Sequence, residues 1–375
     1  MTKHISFDGS GATNRIGEEG LYEGAFIVDP QVDDHGHVHA SCIVECPNGD
    51  LLVVWYENGD TLPPPYYSKE ADKSDDVRIG GCRKRMGSDA WSKPFVMSDT
   101  FGLSNDNPCM VIDHEDRLWL IHPTLLGVPK WTWGSSLLRY KVSSQYEQPG
   151  RPVWNKVNIL VPHVAELEEM VKESPNPLKA RLGWMPRAHP LVRSDGAVMV
   201  PLSNENFDIA VMAITKDGGE TWTYSKPVPQ AGVTQPTLVE FSDGTMSAFF
   251  RNSDGRRRIK RSDSTDGGIT WSDLTLTDLA HPGAGIEAVL LRNGHLLMIY
   301  NDTEKARDRL AVSISTDRGR TWRWTCYLEN TPGKRFDYPS IIQAKDGSLH
   351  ATYGCNTNAI KYVHFSEVWV RENSI

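Results

Sequence analysis

Short runs in which apolar and polar residues alternate fill this chain, and compact polar turns separate them. Five of these turns carry a glycine: Asn48-Gly49-Asp50, Ser194-Asp195-Gly196, Ser242-Asp243-Gly244, Arg292-Asn293-Gly294 and Lys345-Asp346-Gly347. Glu115-Asp116-Arg117 is a glycine-free counterpart. Alternation of period two marks half-buried β-strands, and glycine supplies the positive φ that a tight turn needs. A second turn recurs in phase with the first, as Thr215-Lys216-Asp217-Gly218-Gly219-Glu220-Thr221-Trp222 and its counterparts Ser264–Trp271 and Ser315–Trp322. Its aspartates stand 49 and 51 residues apart and follow Gly196, Gly244 and Gly294 by 21, 22 and 23 residues. In such an octapeptide, hydroxyl and carboxylate side chains can bond turn N–H groups while the Trp packs under the sheet. Each unit reads strand, glycine turn, strand, long loop, strand, octapeptide turn, strand. Six turns of the glycine type predict an all-β chain folded as a six-bladed β-propeller, with seven blades as the alternative.

Taken in order, residues 1–23 form an N-terminal arm and residues 24–375 a single propeller domain. Gly24–Val28 reads as a strand that completes the last blade, against Ile360–Val370. His35-Gly36-His37-Val38-His39-Ala40-Ser41 leads into the first inner strand, Cys42–Glu45. The loop Glu57–Asp76, with Pro63-Pro64-Pro65-Tyr66-Tyr67, is a rim or lid element. Residues 144–184 exceed the blade period, and helical spacing over Val164–Val171 predicts a short helix within this insert.

Bulk composition narrows the function. Hydrophobic content of 39%, with 12 Trp and 12 Tyr, suffices for a packed core. A net charge of −8 argues against a nucleic-acid or anionic-membrane partner, so anion recognition must come from a local basic pocket. The run Arg256-Arg257-Arg258, with Lys260 and Arg261, lacks stacking aromatics and reads as a solvated edge. No apolar stretch reaches the ~18 residues of a membrane span, and no N-terminal apolar leader region stands out, so a cytoplasmic location is expected. The six Cys read as buried free thiols of a reducing compartment. No pattern bears on oligomeric state.

Propeller geometry locates the candidate chemistry. Strand direction alternates within a blade, so the starts of inner strands and the loops after second strands share the face opposite the turns. Counting back 7 to 10 residues from each turn gives His39, Asn107, His189, Gln235, Glu287 and Tyr338. Counting forward six or seven gives His122, Ser203, Arg251, Asn301 and Gly354. A polar, titratable set in this register converges on one axial cup. No cofactor is required; His37 and His39, alternate residues on one strand face, allow a bound metal only if further ligands join them.

The octapeptide is the Asp-box pattern, and on it the chain resembles the sialidase-like, BNR-repeat β-propellers. The resemblance implies an acidic glycan or oligosaccharide substrate. It implies that Arg251, in Phe249-Phe250-Arg251-Asn252, and Arg307 or Arg309 bind a carboxylate. It further implies that Tyr338, in Asp337-Tyr338-Pro339-Ser340, is the nucleophile and that Asp76 stands at the acid/base position. Two departures stand out. His37-Val38-His39-Ala40-Ser41 replaces the motif carrying the family's first arginine, and Gln235 replaces the glutamate that activates the tyrosine. His37–Ser41 and Pro47-Asn48-Gly49-Asp50-Leu51-Leu52 also resemble propeller-type uronate lyases such as ulvan and rhamnose–glucuronate lyases. There, Arg251 or Arg187 neutralises a uronate while His39, His122, His189 and Tyr338 are the proton-transfer candidates. β-Elimination at a uronate is therefore the first expectation, ahead of sialidase-like hydrolysis and non-catalytic glycan binding.

Overall fold

The computed structural model describes residues 20–32, 37–59, 72, 74–127 and 132–375. Residues 1–19 of the arm expected over 1–23, His35 and the Pro63–Tyr67 segment lie outside the described residues, and Tyr22 and Glu23 of that arm already belong to a strand.

Six antiparallel sheets account for the glycine turns one by one. Blade 1 comprises Val38–Glu45, Leu51–Asn58, Val77–Lys84 and Phe95–Ser98. Blade 2 comprises Cys109–Ile112, Leu118–Leu125, Ser136–Ser143 and Lys156–Leu160. In blade 3 the inner position is split between Trp184–Met185 and Leu191–Val192, which both pair with Val198–Asn204; Ile209–Thr215 and Thr223–Tyr224 lie outward. Blade 4 runs through Val233–Glu240, Met246–Asn252, Arg258–Ser264 and Thr275–Ala280, and blade 5 through Glu287–Leu290, Leu296–Asn301, Arg309–Ser315 and Trp324–Asn330. Blade 6 holds Phe336–Gln343, Leu349–Cys355 and Ala359–Phe365, and Tyr22–Val28 adds its outermost strand. The closing strand predicted from the sequence thus pairs where expected. The third strand of that blade ends at Phe365 rather than Val370, because Ser366 accepts the Trp369 N–H and caps a helix, Glu367–Glu372. The insert before blade 3 carries the helix Ala165–Met170.

Turn chemistry follows the sequence pattern. Gly244 has φ of +79°, and Asp116, the glycine-free counterpart, is held at +54°. In the octapeptide at Ser264, Ser264 donates to Asp266 Oδ1 at 2.8 Å, and Asp266 Oδ1 accepts the N–H groups of Ile269 and Thr270. The Thr270 hydroxyl donates to Asp266 Oδ2 at 2.6 Å. The same pattern recurs at Asp217 and Asp317. These carboxylates are consumed by their own turns. All six Cys are buried and free.

Inner strands are joined around the axis by side chains that accept backbone N–H groups of a neighbouring blade. Ser340 accepts from Ile43 at 3.2 Å, Cys42 from Met110 at 3.2 Å, and Thr237 from Ala288 at 3.0 Å. Glu287 accepts the His189 N–H and ring Nδ1 on Oε1, both at 2.7 Å, and the Ile341 N–H on Oε2 at 2.9 Å. His189 Nε2 lies 2.6 Å from the Ile43 carbonyl, so both ring nitrogens face acceptors and the ring is an imidazolium. Burial opposes that charge, but Cys42 and Glu287 outweigh it and hold the His189 pKa well above its ordinary value.

Two stability measurements follow. Glu287→Gln leaves a charged or imperfectly bonded imidazole at the axis and should lower unfolding free energy by about 3–5 kcal/mol in urea titration; an unchanged midpoint would remove the pair from the framework. Asp266→Ala should cost about 1 kcal/mol through lost turn hydrogen bonds. Burial tends to raise the Asp266 pKa, but its bonds to Thr270 and Ser264 outweigh this and bring it to about 2. Its unfolded value is about 3.9, so its contribution is complete above about pH 4 and vanishes as pH falls through about 2. The wild-type advantage over Asp266→Ala should shrink across that window.

Candidate active site

On the face opposite the turns, the starts of the inner strands enclose a cavity of about 530 Å³. Three of these starts are bulged, between His39 and Cys42, Thr234 and Thr237, and Asp337 and Ser340. The residues in the bulges adopt left-handed backbone: Ala40 at φ +51°, Gln235 at +50° and Tyr338 at +47°; Asn107, just before its strand, is at +37°. Such conformations cost of order 1 kcal/mol or more each for a side-chain-bearing residue and persist where surrounding contacts fix them.

Tyr338 occupies the centre. Its phenol oxygen accepts from Arg251 Nη1 at 2.9 Å and from Gln235 Nε2 at 3.3 Å, while Arg251 also donates to Gln235 Oε1 at 3.2 Å. The guanidinium carbons of Arg187 and Arg307 lie 5.0 and 5.8 Å from the ring centroid. Burial alone would raise the phenol pKa, but the charges of Arg251 and Arg307 and the Gln235 bond outweigh it and bring the pKa below 10. The cup thus prepares a phenolate.

His39 packs edge-on against Tyr338, with ring centroids 4.4 Å apart. A sequence reading that makes His39 a proton carrier near neutrality needs correction here. Burial, then His37 and the charges of Arg335, Arg307 and Arg187, hold its pKa well below the usual value, so the ring is neutral at pH 7.

Of the predicted residues, His39, Asn107, Gln235, Arg251, Arg307 and Tyr338 line the cup. The others are spent elsewhere. His122 is fully buried, with Nε2 3.0 Å from Ser98 Oγ and Nδ1 3.2 Å from the Pro123 carbonyl, and burial pushes its pKa to about 3. His189, in the break between the two inner strands of blade 3, and Glu287, the first residue of its strand, bond each other and border a separate, smaller cavity. Arg187 sits beneath Tyr338, donating to the Pro339 carbonyl at 2.7 Å. Asn301 bonds the Phe336 and Arg309 carbonyls, and Arg309 turns to the Asp302 carbonyl and the Tyr327 ring, which leaves Arg307 as the arginine at the cup. Asp76 is bonded by Asn58 and Ser74; the blade-1 carboxylate that reaches the cup is Asp72. Among the described residues no group of three or more His, Cys, Asp or Glu gathers as a metal would need, and His35 lies outside them.

Sequence counting missed Asp72, Glu205, Asp208, Arg257 and Arg335. Glu205 follows Ser203 by two residues, so a longer forward count reaches it. Burial raises its pKa, opposed by Arg251. Arg257 belongs to the run read as a solvated edge, yet its segment curls to the rim. A larger cavity, about 1070 Å³, opens on the turn face between blades 1 and 6, beside the stacked His350 and His364. His350 there is committed to Tyr362 and Ser348, and among the described residues no arginine cluster lines this cavity. The cup is the better site.

The chain matches the BNR repeat-like domain family over residues 60–351. It is 24% identical to a sialidase of Paraclostridium sordellii over 327 residues, which cover 78% of this chain and 77% of that protein. A protein of unknown function from Dyadobacter fermentans shares its fold at a TM-score of 0.72 and 15% identity, covering 93% of this chain and 99% of the other. The intramolecular trans-sialidase of Ruminococcus gnavus superposes at a TM-score of 0.67 with 13% identity, covering 89% and 95% of the two chains.

The electrostatics of the cup can be read directly. The ultraviolet difference titration between the wild type and Tyr338→Phe should show one phenol ionising below pH 10. Arg251→Gln should move that ionisation upward; no movement would mean that Arg251 does not set it.

Proposed function

This chain belongs to the BNR repeat-like domain family, and we propose that it cleaves the glycosidic bond of an acidic sugar by nucleophilic attack from Tyr338. The observation that carries this reading is the phenol oxygen held by Arg251 and Gln235 at the base of the cup. Sialidases among its relatives favour a nonulosonic acid substrate, processed by hydrolysis or intramolecular transfer. This reverses the order expected from the sequence, which put uronate elimination first.

Arg251 and Arg307 hold the substrate carboxylate by charge-assisted hydrogen bonds. The Tyr338 oxygen attacks the anomeric carbon as the bond to the leaving oxygen breaks, and Asp72 protonates that oxygen. Water, or a hydroxyl of the sugar itself, then attacks the anomeric carbon, giving its proton to the Asp72 carboxylate as the bond to the Tyr338 oxygen breaks and the phenolate leaves, with net retention. A carboxylate nucleophile would be charged throughout binding and repelled by the substrate's own carboxylate; a tyrosine can meet the substrate as a neutral phenol and carries charge only once ionised beside the arginines. With Gln235 in place of a glutamate, no carboxylate takes the phenol proton. Cationic neighbours lower its pKa instead, so activity should rise with pH towards the phenol ionisation.

The same absence favours a second reading. A phenolate activated by arginines alone can also take the α-proton of a uronate whose carboxylate those arginines neutralise, with Asp72 protonating the leaving oxygen as the C–O bond breaks. Only this route forms an unsaturated uronate with its own ultraviolet absorbance.

Assays on an aryl glycoside of N-acetylneuraminic acid and on uronate-bearing oligosaccharides separate the readings. Aryl alcohol release, lost by at least ~10³-fold in Tyr338→Phe, is the expected outcome. Absorbance from unsaturated product without aryl release would select elimination, and neither signal would leave a glycan-binding propeller. Gln235→Glu should move the acidic limb of the rate profile to lower pH by giving the phenol a base. An unmoved limb would show that the phenol proton does not limit the rate.

A further inference from the structure

We propose that Arg335 is the third guanidinium of the carboxylate clamp and replaces the arginine that the first inner strand lacks; the inference rests on the acidic-sugar reading above. The start of that strand offers Val38, His39 and Ala40, and His39 packs on Tyr338 without a charge. A clamp of Arg251 and Arg307 alone is open on the blade-1 side.

Arg335 closes it from just before the inner strand of blade 6, Phe336–Gln343. Asp337, almost fully buried, divides its two oxygens: Oδ1 accepts from Arg307 Nη1 at 2.6 Å, and Oδ2 accepts from Arg335 Nε. Binding through Nε fixes the guanidinium while leaving both terminal nitrogens without a hydrogen-bond partner among the described residues. The Arg335 side chain lines the cup and is 48% exposed. It shares the cavity lining with His39, Tyr56 and Asp72 of blade 1, and its charge adds to the burial that holds the pKa of His37 and His39 down. One carboxylate between two guanidiniums leaves a net positive charge, and among the described residues no carboxylate lies within ion-pair distance of Arg251. A bound anion completes this arrangement, and the two free Arg335 nitrogens match the planar fork of a carboxylate. Asp337 is then a positioning residue that aims two arms of the clamp from below.

The test compares affinity for 2,3-dehydro-N-acetylneuraminic acid with that for its methyl ester. Arg335→Ala, or Arg335→Gln should the first fold poorly, is expected to weaken the acid at least ~10-fold and the ester little. A purely structural role would weaken both alike. His39→Arg introduced into the Arg335→Ala chain should recover acid over ester preference, because it restores a guanidinium on the blade-1 side. An unchanged acid-to-ester ratio in Arg335→Ala and Arg335→Gln, with Arg251→Ala lowering it, would overturn the role of Arg335 alone. If Arg251→Ala also left the ratio intact, or the wild type did not prefer the acid, the acidic-sugar reading itself would fall.

Discussion

A propeller must bring six inner strands close enough to surround an axis, and their backbone groups then lack the partners that an ordinary sheet provides. The Glu287–His189 pair resolves this for much of the ring. One carboxylate accepts from blades 3 and 6, and the imidazolium it stabilises donates to blade 1. Leaving buried polar groups unsatisfied here would cost several times more than any one hydrogen bond contributes. The rest of the molecule can treat the axis as rigid because these acceptors are in place. Ser340, Cys42 and Thr237 perform the same service with neutral side chains.

On that base, the strands are free to carry strain one step nearer the solvent. Gln235 and Tyr338 sit two residues before Thr237 and Ser340, and each takes a left-handed backbone that the ring below fixes. The bulge aims the side chain into the cup rather than along the sheet. Arg187 then fills the space under Tyr338, so the phenol stands on a cationic floor as well as against a cationic wall. Structural and chemical roles are separated by depth along the same strand.

That separation explains what the sequence could tell. Turn residues have fixed chemistry: Gly at positive φ and the Ser/Thr–Asp pair of the octapeptide are spaced by blade length, so blade number and closure by the N-terminal strand were readable. Arg251, Gln235 and Tyr338 were readable for the same reason, being at constant distance from their turns. Counting failed at Glu287, whose strand lacks the bulge that the Gln235 and Tyr338 strands carry, and at His189, where the inner position of blade 3 is split, so both fell one level too deep. His122 looked equivalent to Arg251 by position, but Ser98 and its own strand absorb it. Arg335 was invisible because its importance depends on Asp337 facing inward, which no periodicity encodes. The neighbours of Tyr338, not its position, decide between nucleophile and base, and those neighbours are brought together from four blades.

Closure by the Tyr22–Val28 strand has a kinetic side. Tyr22 lies opposite Phe365, and Val28 opposite Ile360, so the last sheet joins segments more than 300 positions apart. Contacts at such separation form late, because the loop-closure entropy is paid before any pairing rewards it. Until then Ala359–Phe365 presents a bare strand edge, which is the surface that another chain can pair with. The cup is built partly from blade 6, through Arg335 and Tyr338, so it assembles in the same final step that hides this edge. An intact cup therefore reports on completed folding: a population trapped with an open ring would both lack it and be prone to exchange strands with its neighbours.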